Sequence, residues 1–381
     1  MDFSLSAEQR ELVAAATAFA RQELDHDLAK LDDAGEFPRD AWRACAKFGI
    51  QGLPVPASLG GAGADVLTTT LVMEALGHGC PDNGLLFSLN AQMWSVEHPL
   101  VVFGTPEQQQ AYLPGMVSGD LIGGHAMTEP GSGSDALHMR TRAEQRGDDY
   151  ILNGEKQFIT NAPVADVLLV YASIVGRPGM AGLSAFLVDA GTPGLRVTSG
   201  FEKMGLRTSP MGEVALTDCR VPASSRLGPE GAGMAIFNSS MEWERSCLFA
   251  SAVGAMRRQL DACVAYARSR EQFGQPIGKF QAVAGKLADM YVRLEAAKLL
   301  LYRVAWLKQE GKSAPAEAAA AKLFTSEAFV QSSRDAIQAH GAWGYLKEAG
   351  IERDLRDAIA STIYSGTSEI QRVIIARMLG L

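Results

Sequence analysis

The side chain best placed to do chemistry is Glu244. Phe237 and Met241 precede it by seven and three residues and Leu248 follows by four, spacings that put all four on one face of a helix. A carboxyl held against apolar groups is disfavoured in its charged form, so its pKa rises toward the range that a general base needs near neutral pH. The same spacing also suits an amphipathic helix whose glutamate reaches solvent past its neighbours, and buried glutamates are rare. Context has to choose between the two.

A second stretch, Met127-Thr128-Glu129-Pro130-Gly131-Ser132-Gly133-Ser134-Asp135, combines glycines that permit close backbone approach with hydroxyls suited to a polar, phosphate-bearing ligand. Alone it is a weak signal, read more readily as a Gly/Ser turn between a helix and a strand. The glycines Gly60, Gly61 and Gly63 superficially resemble a dinucleotide loop, but no strand-then-helix context supports that, and they are expected to form a loop after Pro54-Val55-Pro56. The five cysteines are scattered without C-x-x-C spacing, and the six histidines form no His-x-x-x-His or Cys/His cluster. Reduced core thiols and no metal site are expected.

The elements that must carry these residues divide the chain in three. From Ser6 to about Ser118 the apolar residues recur at helical spacing, as in Leu12, Ala16, Phe19 and Ala20. Between about Leu121 and Arg226 the period shifts toward two, with strand-like runs at 167–171, 183–188 and 213–216 and turn signals at Asn153-Gly154 and Thr192-Pro193-Gly194. Short strands without long intervening helices favour an antiparallel sandwich or barrel. Beyond Gly231-Ala232-Gly233 helical patterning returns, at about 233–269, 280–310, 315–340 and 367–379. The expected fold is α+β: a helical domain (1–120), a central antiparallel β domain (121–230) and a C-terminal four-helix bundle (231–381).

Composition fits this outline. With 47% hydrophobic and 20% charged residues in 381, the chain can bury two or three packed units. No apolar run approaches the ~20 residues needed to cross a bilayer, and the N-terminus lacks the basic and apolar regions of a secretory signal. No membrane association and a cytoplasmic location are expected. A net charge of −8 without a Lys/Arg cluster argues against nucleic acid as a partner.

Four segments, taken in order, resemble the acyl-CoA dehydrogenase family over essentially the full length: Met127–Asp135, Asn153-Gly154-Glu155-Lys156-Gln157-Phe158-Ile159-Thr160-Asn161, Arg270-Glu271-Gln272-Phe273-Gly274-Gln275-Pro276-Ile277-Gly278 and Tyr364-Ser365-Gly366-Thr367. The resemblance implies an FAD site, with Met127, Thr128, Phe158 and Thr160 around the flavin ring and Gly133, Ser134 and Thr367 among its contacts. It also implies that Arg270, Gln272, Phe273, Phe280 and Gln281, with Gln338 and Gly341, reach the FAD of a neighbouring subunit, and hence a homotetramer. An arginine suits a diphosphate through its fork of donors, although a solvated helix-end arginine is the simpler reading of Arg270.

Two departures from the family pattern qualify what is carried over. Phe158 stands where many relatives have tryptophan, which leaves an aromatic cover and alters the electron-transfer surface. Ser365 stands where most relatives carry the catalytic glutamate. In a minority, including dehydrogenases for branched acyl groups, the base comes from the position that matches Glu244. The expected reaction is therefore α,β-dehydrogenation of an acyl thioester, with Glu244 as the α-proton base and hydride passing to flavin N5. The backbone N–H near Ser365 would stabilise the enolate charge. Tyr364 is a pocket neighbour. Arg245, about a hundred degrees further round the helix, either orients the chain around Ser365 or forms a structural ion pair. Glu369 is expected to contact the C-terminal segment near FAD and not to be a second base.

Around Glu244 and Thr160 the sequence is similar to the biosynthetic branch that oxidises prolyl groups on peptidyl carrier proteins to pyrrolyl groups. This implies a carrier-protein-bound aminoacyl substrate, with an electron-transfer flavoprotein as a candidate acceptor. A CoA thioester handled by a catabolic short or branched-chain acyl-CoA dehydrogenase is the alternative. A flavin oxidase relative and a catalytically silent flavin-binding protein rank lower.

Overall fold

A computed structural model describes residues 4–24, 26–177 and 179–381. Seven helices open the chain: α1 (Ala7–Glu23), α2 (Leu28–Ala34), α3 (Arg39–Phe48), α4 (Val66–Gly79), α5 (Asn83–Gln92), α6 (His98–Phe103) and α7 (Pro106–Val117). Their starts are fixed locally. Ser6 and Thr105 form reciprocal capping boxes with Gln9 and Gln108, and the side chains of Asp65 and Asp82 cap α4 and α5. Between α5 and α6 the helix does not break but widens into one π-helical turn, Met93–Glu97.

The middle of the chain forms one eight-stranded sheet from β1 (Gly123–Ala126), β2 (Arg142–Arg146), β3 (Asp149–Thr160), β4 (Val167–Ile174), β5 (Leu183–Asp189), β6 (Leu195–Ser199), β7 (Met211–Pro222) and β8 (Arg226–Leu227). Its order is β6-β7-β3-β2-β4-β5-β8, with β1 paired to β4. The sheet folds so that the β3–β7 and β4–β5 halves share a core that includes Tyr150, Leu152, Leu168, Val170, Phe186 and Leu216. The other face of β4 and β5, with Leu169, Tyr171 and Leu187, packs on Val96, Leu100, Leu113 and Met116 of the helices. Burial on both faces is why these two strands are almost continuously apolar.

Two details differ from the sequence expectation. The Asn153-Gly154 pair is not a turn between strands. It lies inside β3 as a bulge opposite β7, where Gly154 has φ 152° and a Cβ would come within 2.5 Å of Thr141 Oγ1. The hairpin turn falls instead at Gly147-Asp148, between β2 and β3. The sheet is also not wholly antiparallel, because β4 pairs in parallel with β1 and briefly with β2. β3 runs back against β1 and β2, and the connection through Ala162–Val164 restores their direction before β4 is laid down.

The third part holds α8 (Gly233–Glu244), α9 (Ala250–Ser269), α10 (Gln281–Gln309), α11 (Pro315–His340), α12 (Ile351–Ser361) and α13 (Ser368–Met378). The segment expected to be one helix over 233–269 is broken. Ser246, at φ −132° and ψ −84°, separates α8 from a 3₁₀ turn at Cys247–Phe249 and then α9. Leu248 therefore does not continue the stripe of Phe237 and Met241, and Glu244 is the last residue of its helix. The short helix α12 was not anticipated. α9 to α12 pack as a bundle with α13 against α11, and α4 joins from the first part. A single hydrophobic core runs from Ala16 and Trp42 through Leu76 and Phe249 to Val304 and Phe329, so the first and last thirds are stabilised as one body.

Candidate active site

A cleft of about 810 Å³ opens where the β domain meets the end of α8 and the turn before α13. From the sheet side it is lined by Met127, Thr128, Gly133, Ser134, Phe158 and Thr160, and from the helical side by Glu244, Arg245, Tyr364, Ser365 and Thr367. Residues far apart in sequence thus face one space. Arg270, Gln272, Phe273, Phe280, Gln281, Gln338 and Gly341 do not line it. They lie at one end of the bundle, where Tyr266 packs on His340 and brings the C-terminal ends of α9 and α11 together. At that end the hairpin at 271–276 leaves Phe273 93% exposed.

Glu244 is buried, 8% exposed, and each of its oxygens receives a hydroxyl. Ser365 Oγ donates to Oε2 at 2.6 Å, and Ser95 Oγ donates to Oε1. Burial pushes the Glu244 carboxyl up, while the two hydroxyls and the charge of Arg245 pull it back. Arg245 turns away from the carboxylate. Its Nε donates to the Ser365 carbonyl at 3.2 Å, and Gln371 Nε2 donates to the carbonyls of Ser365 and Gly366. These bonds hold Ser365 at φ 54°, a left-handed conformation that costs a non-glycine residue about 1–3 kcal/mol. Tyr364 packs between Phe87 and Phe249, and Thr367 caps α13. Glu369 is exposed in the first turn of α13 and does not line the cleft.

On the sheet side, the loop after β1 is anchored from below. Glu129 accepts from the backbone N–H groups of Arg140 and Thr141, and its Oε1 lies 2.9 Å from Lys156 Nζ, which also donates to the Met127 carbonyl. Both members of this ion pair are buried. Gly131 and Gly133 have open space where a Cβ would stand, so ligand atoms can approach the backbone there. Phe158, at φ 60° and 51% exposed, presents its ring at the cleft. The glycines, hydroxyls and apolar walls suit a ligand that is part planar ring and part polar chain, which is the chemistry of a flavin nucleotide. Among the described residues no group of three or more His, Cys, Asp or Glu could hold a metal ion.

Sequence reading alone missed Ser95, Trp94, His125 and the Glu129–Lys156 pair. His125 lines the cleft with its ring against Tyr171 and Phe237, and burial pulls its pKa down to about 4. Only the pair carried a signal, since both residues lie in the segments that revealed the family.

Models of the acyl-CoA dehydrogenase N-terminal, middle and C-terminal domains match residues 6–120, 124–219 and 231–380. The chain belongs to the acyl-CoA dehydrogenase family. It is 44% identical over 381 residues to an L-prolyl-[peptidyl-carrier protein] dehydrogenase of a Serratia species, covering 100% of this chain and 99% of that protein. Among solved structures it is similar to the prolyl acyl carrier protein oxidase AnaB, at 50% identity and a TM-score of 0.97, over 99% of this chain and 100% of that one. It is also similar to the FAD complex of PigA, at 44% identity and a TM-score of 0.97, over the full length of both. No helix among the described residues is long and apolar enough to cross a membrane.

Proposed function

We propose that this chain is an FAD-dependent dehydrogenase of acyl thioesters, whose substrate is an L-prolyl group carried on a peptidyl carrier protein. The observation that carries the reading is the buried Glu244 carboxylate in the cleft, bracketed by Ser95 and by Ser365, the residue that occupies the family's usual base position. The relatives, which act on carrier-bound proline by their names, supply the acyl group.

In this reading Glu244 takes the α proton, for which it must be ionised while facing an apolar wall. The backbone around Ser365 and Gly366 is fixed by Arg245 and Gln371, so a main-chain N–H there is preorganised to stabilise charge developing on the thioester oxygen. Met127, Thr128, Phe158, Thr160 and Ser134 would hold FAD, and the chemistry that bound FAD supplies is acceptance of the β hydrogen as hydride. The apolar side chains of Phe237 and Met241 exclude water from the α carbon.

Arg270, Gln272, Phe273, Phe280, Gln281, Gln338 and Gly341 would complete the FAD site of a neighbouring subunit in a homotetramer. Five buried free thiols are consistent with a reducing cytoplasm as the location. The electron acceptor is an electron-transfer flavoprotein if the chain works as a dehydrogenase, or oxygen if it resembles AnaB in this respect.

The test is anaerobic flavin bleaching by L-prolyl-carrier protein, prolyl-CoA and aliphatic acyl-CoAs, followed by mass analysis of the acyl product. Prolyl-carrier protein should reduce the flavin fastest, because the carrier surface adds binding beyond the shared pantetheine arm. Faster reduction by an aliphatic acyl-CoA would move the chain to the catabolic class. Oxygen consumption in a single turnover identifies the acceptor.

A further inference from the structure

We propose that Ser95 is a positioning residue for the base, holding Glu244 ionised and aimed through a two-residue splice between the π-helical turn and the end of α8. The splice pairs consecutive residues. Trp94 stacks on Trp243, with ring centroids 5.3 Å apart and planes 3° from parallel, and the next residues, Ser95 and Glu244, are hydrogen-bonded. Trp94 Nε1 donates to Asn90 Oδ1 at 3.0 Å, His98 packs against Trp243 with the rings tilted, and Lys308 lies over the Trp243 ring. The stack therefore fixes the register of the two segments, and the hydroxyl bond follows from it.

The chemistry is specific to a carboxylate at the end of its helix. Glu244 closes α8, where helix carbonyls lack intrahelical partners and their partial negative charge works against a second anion. A hydroxyl donor on Oε1 offsets both this and the loss of solvent. Ser365 does the same on Oε2 from the opposite side, which leaves the remaining lone pairs free to accept a proton. Ser95 is 3% exposed, so its hydroxyl acts on the carboxylate from the buried side.

Other titratable groups face this region. Tyr171 of β4 and Tyr364 have hydroxyls pushed up by burial, and His98 and His125 are pulled down to about 4. Burial lowers the Arg245 guanidinium from its ordinary value, against the pull of Glu244 and Glu242. Glu97, on the same π-helical turn, is pushed up to about 8 by burial and needs its own control.

The proposal rests on Glu244 as the base. The experiment is the pH dependence of flavin reduction by prolyl-carrier protein in the FAD-loaded enzyme, for wild type, Ser95→Ala, Ser95→Thr and Glu244→Gln, with each Ser95 variant repeated in a Glu97→Gln background. Loss of the hydroxyl should move the acid limb of the profile up by about one pH unit, and Ser95→Thr should return it. Should Ser95→Ala fail to retain FAD, Ser95→Cys, a weak donor of similar volume, carries the same expectation. A rate that falls with the acid limb unmoved, or a limb that Ser95→Thr does not restore, overturns the proposal. Near-normal reduction in Glu244→Gln instead overturns the base assignment, whatever the Ser95 variants show.

Discussion

Ser365 Oγ stands 2.6 Å from Glu244 Oε2, so the side chain in the family's usual base position is a hydrogen-bond donor to the carboxylate proposed as the base. Glu244→Gln keeps the shape of the site and should retain FAD. Flavin reduction in stopped flow should drop by at least the ~10²–10⁴-fold ascribed to general base catalysis. Ser365→Glu in the wild-type background should also lower the rate. It replaces a donor to Oε2 with a second carboxylate, which repels the first and raises its pKa.

Removal of the Arg270 side chain tests the subunit-shared cofactor site. Arg270 is exposed and far from its own chain's cleft, so Arg270→Ala should leave the fold intact while FAD dissociates roughly ten- to a hundredfold more readily. Equilibrium dialysis, with the oligomeric state followed by analytical ultracentrifugation, measures both. Full retention of FAD by a tetramer would place the site elsewhere.

Lys156→Met should be among the most damaging single changes. It leaves Glu129 buried without its partner, for which the usual cost is about 3–5 kcal/mol, and it frees the Met127 carbonyl. Chemical denaturation should show the loss. Addition of FAD should recover less stability in this variant than in wild type, because the cleft-lining loop proposed to hold the flavin is the part released.

A pH-dependent loss of stability is expected from Glu97. It is fully buried, its Oε2 has no partner, and its pKa rises from about 4.5 to about 8 on folding. The folded state therefore holds a proton that the unfolded state releases. Stability falls as pH rises from about 4.5 toward 8, by up to about 1.4 kcal/mol per pH unit, and levels off above. Glu97→Gln should flatten that part of a Tm-against-pH curve. An unchanged slope would show that Glu97 reaches water or a partner.

How much of this was legible in the sequence depended on the range of each interaction. Phe237, Met241 and Glu244 share one helix, so their spacing revealed an apolar setting for the carboxylate. Leu248 misled, because only the backbone at Ser246 shows that the helix ends first. Asn153-Gly154 carries hairpin chemistry but pairs within a long strand, where tertiary contacts with β7 outweigh the local turn preference. Ser95 was invisible. Its partner is 149 residues away, and nothing in the local pattern of residues 93–97 marks a π-helical turn. The cleft residues proposed to hold the flavin were picked out by resemblance, since their own Gly/Ser composition does not distinguish a ligand loop from an ordinary turn.

The widened turn at Met93–Glu97 makes the placement of the proposed base a matter of chain length as well as residue identity. Deleting a single residue there would let the segment relax to a regular α-helix and rotate everything on one side of it by about 100°. Trp94 and Ser95 would then slide out of step with Trp243 and Glu244, although every side chain named in the mechanism would still be present. Moving a base of this kind into a relative, or out of this chain, is therefore a problem of insertion and deletion, and exchanging Glu244 and Ser365 alone would not solve it.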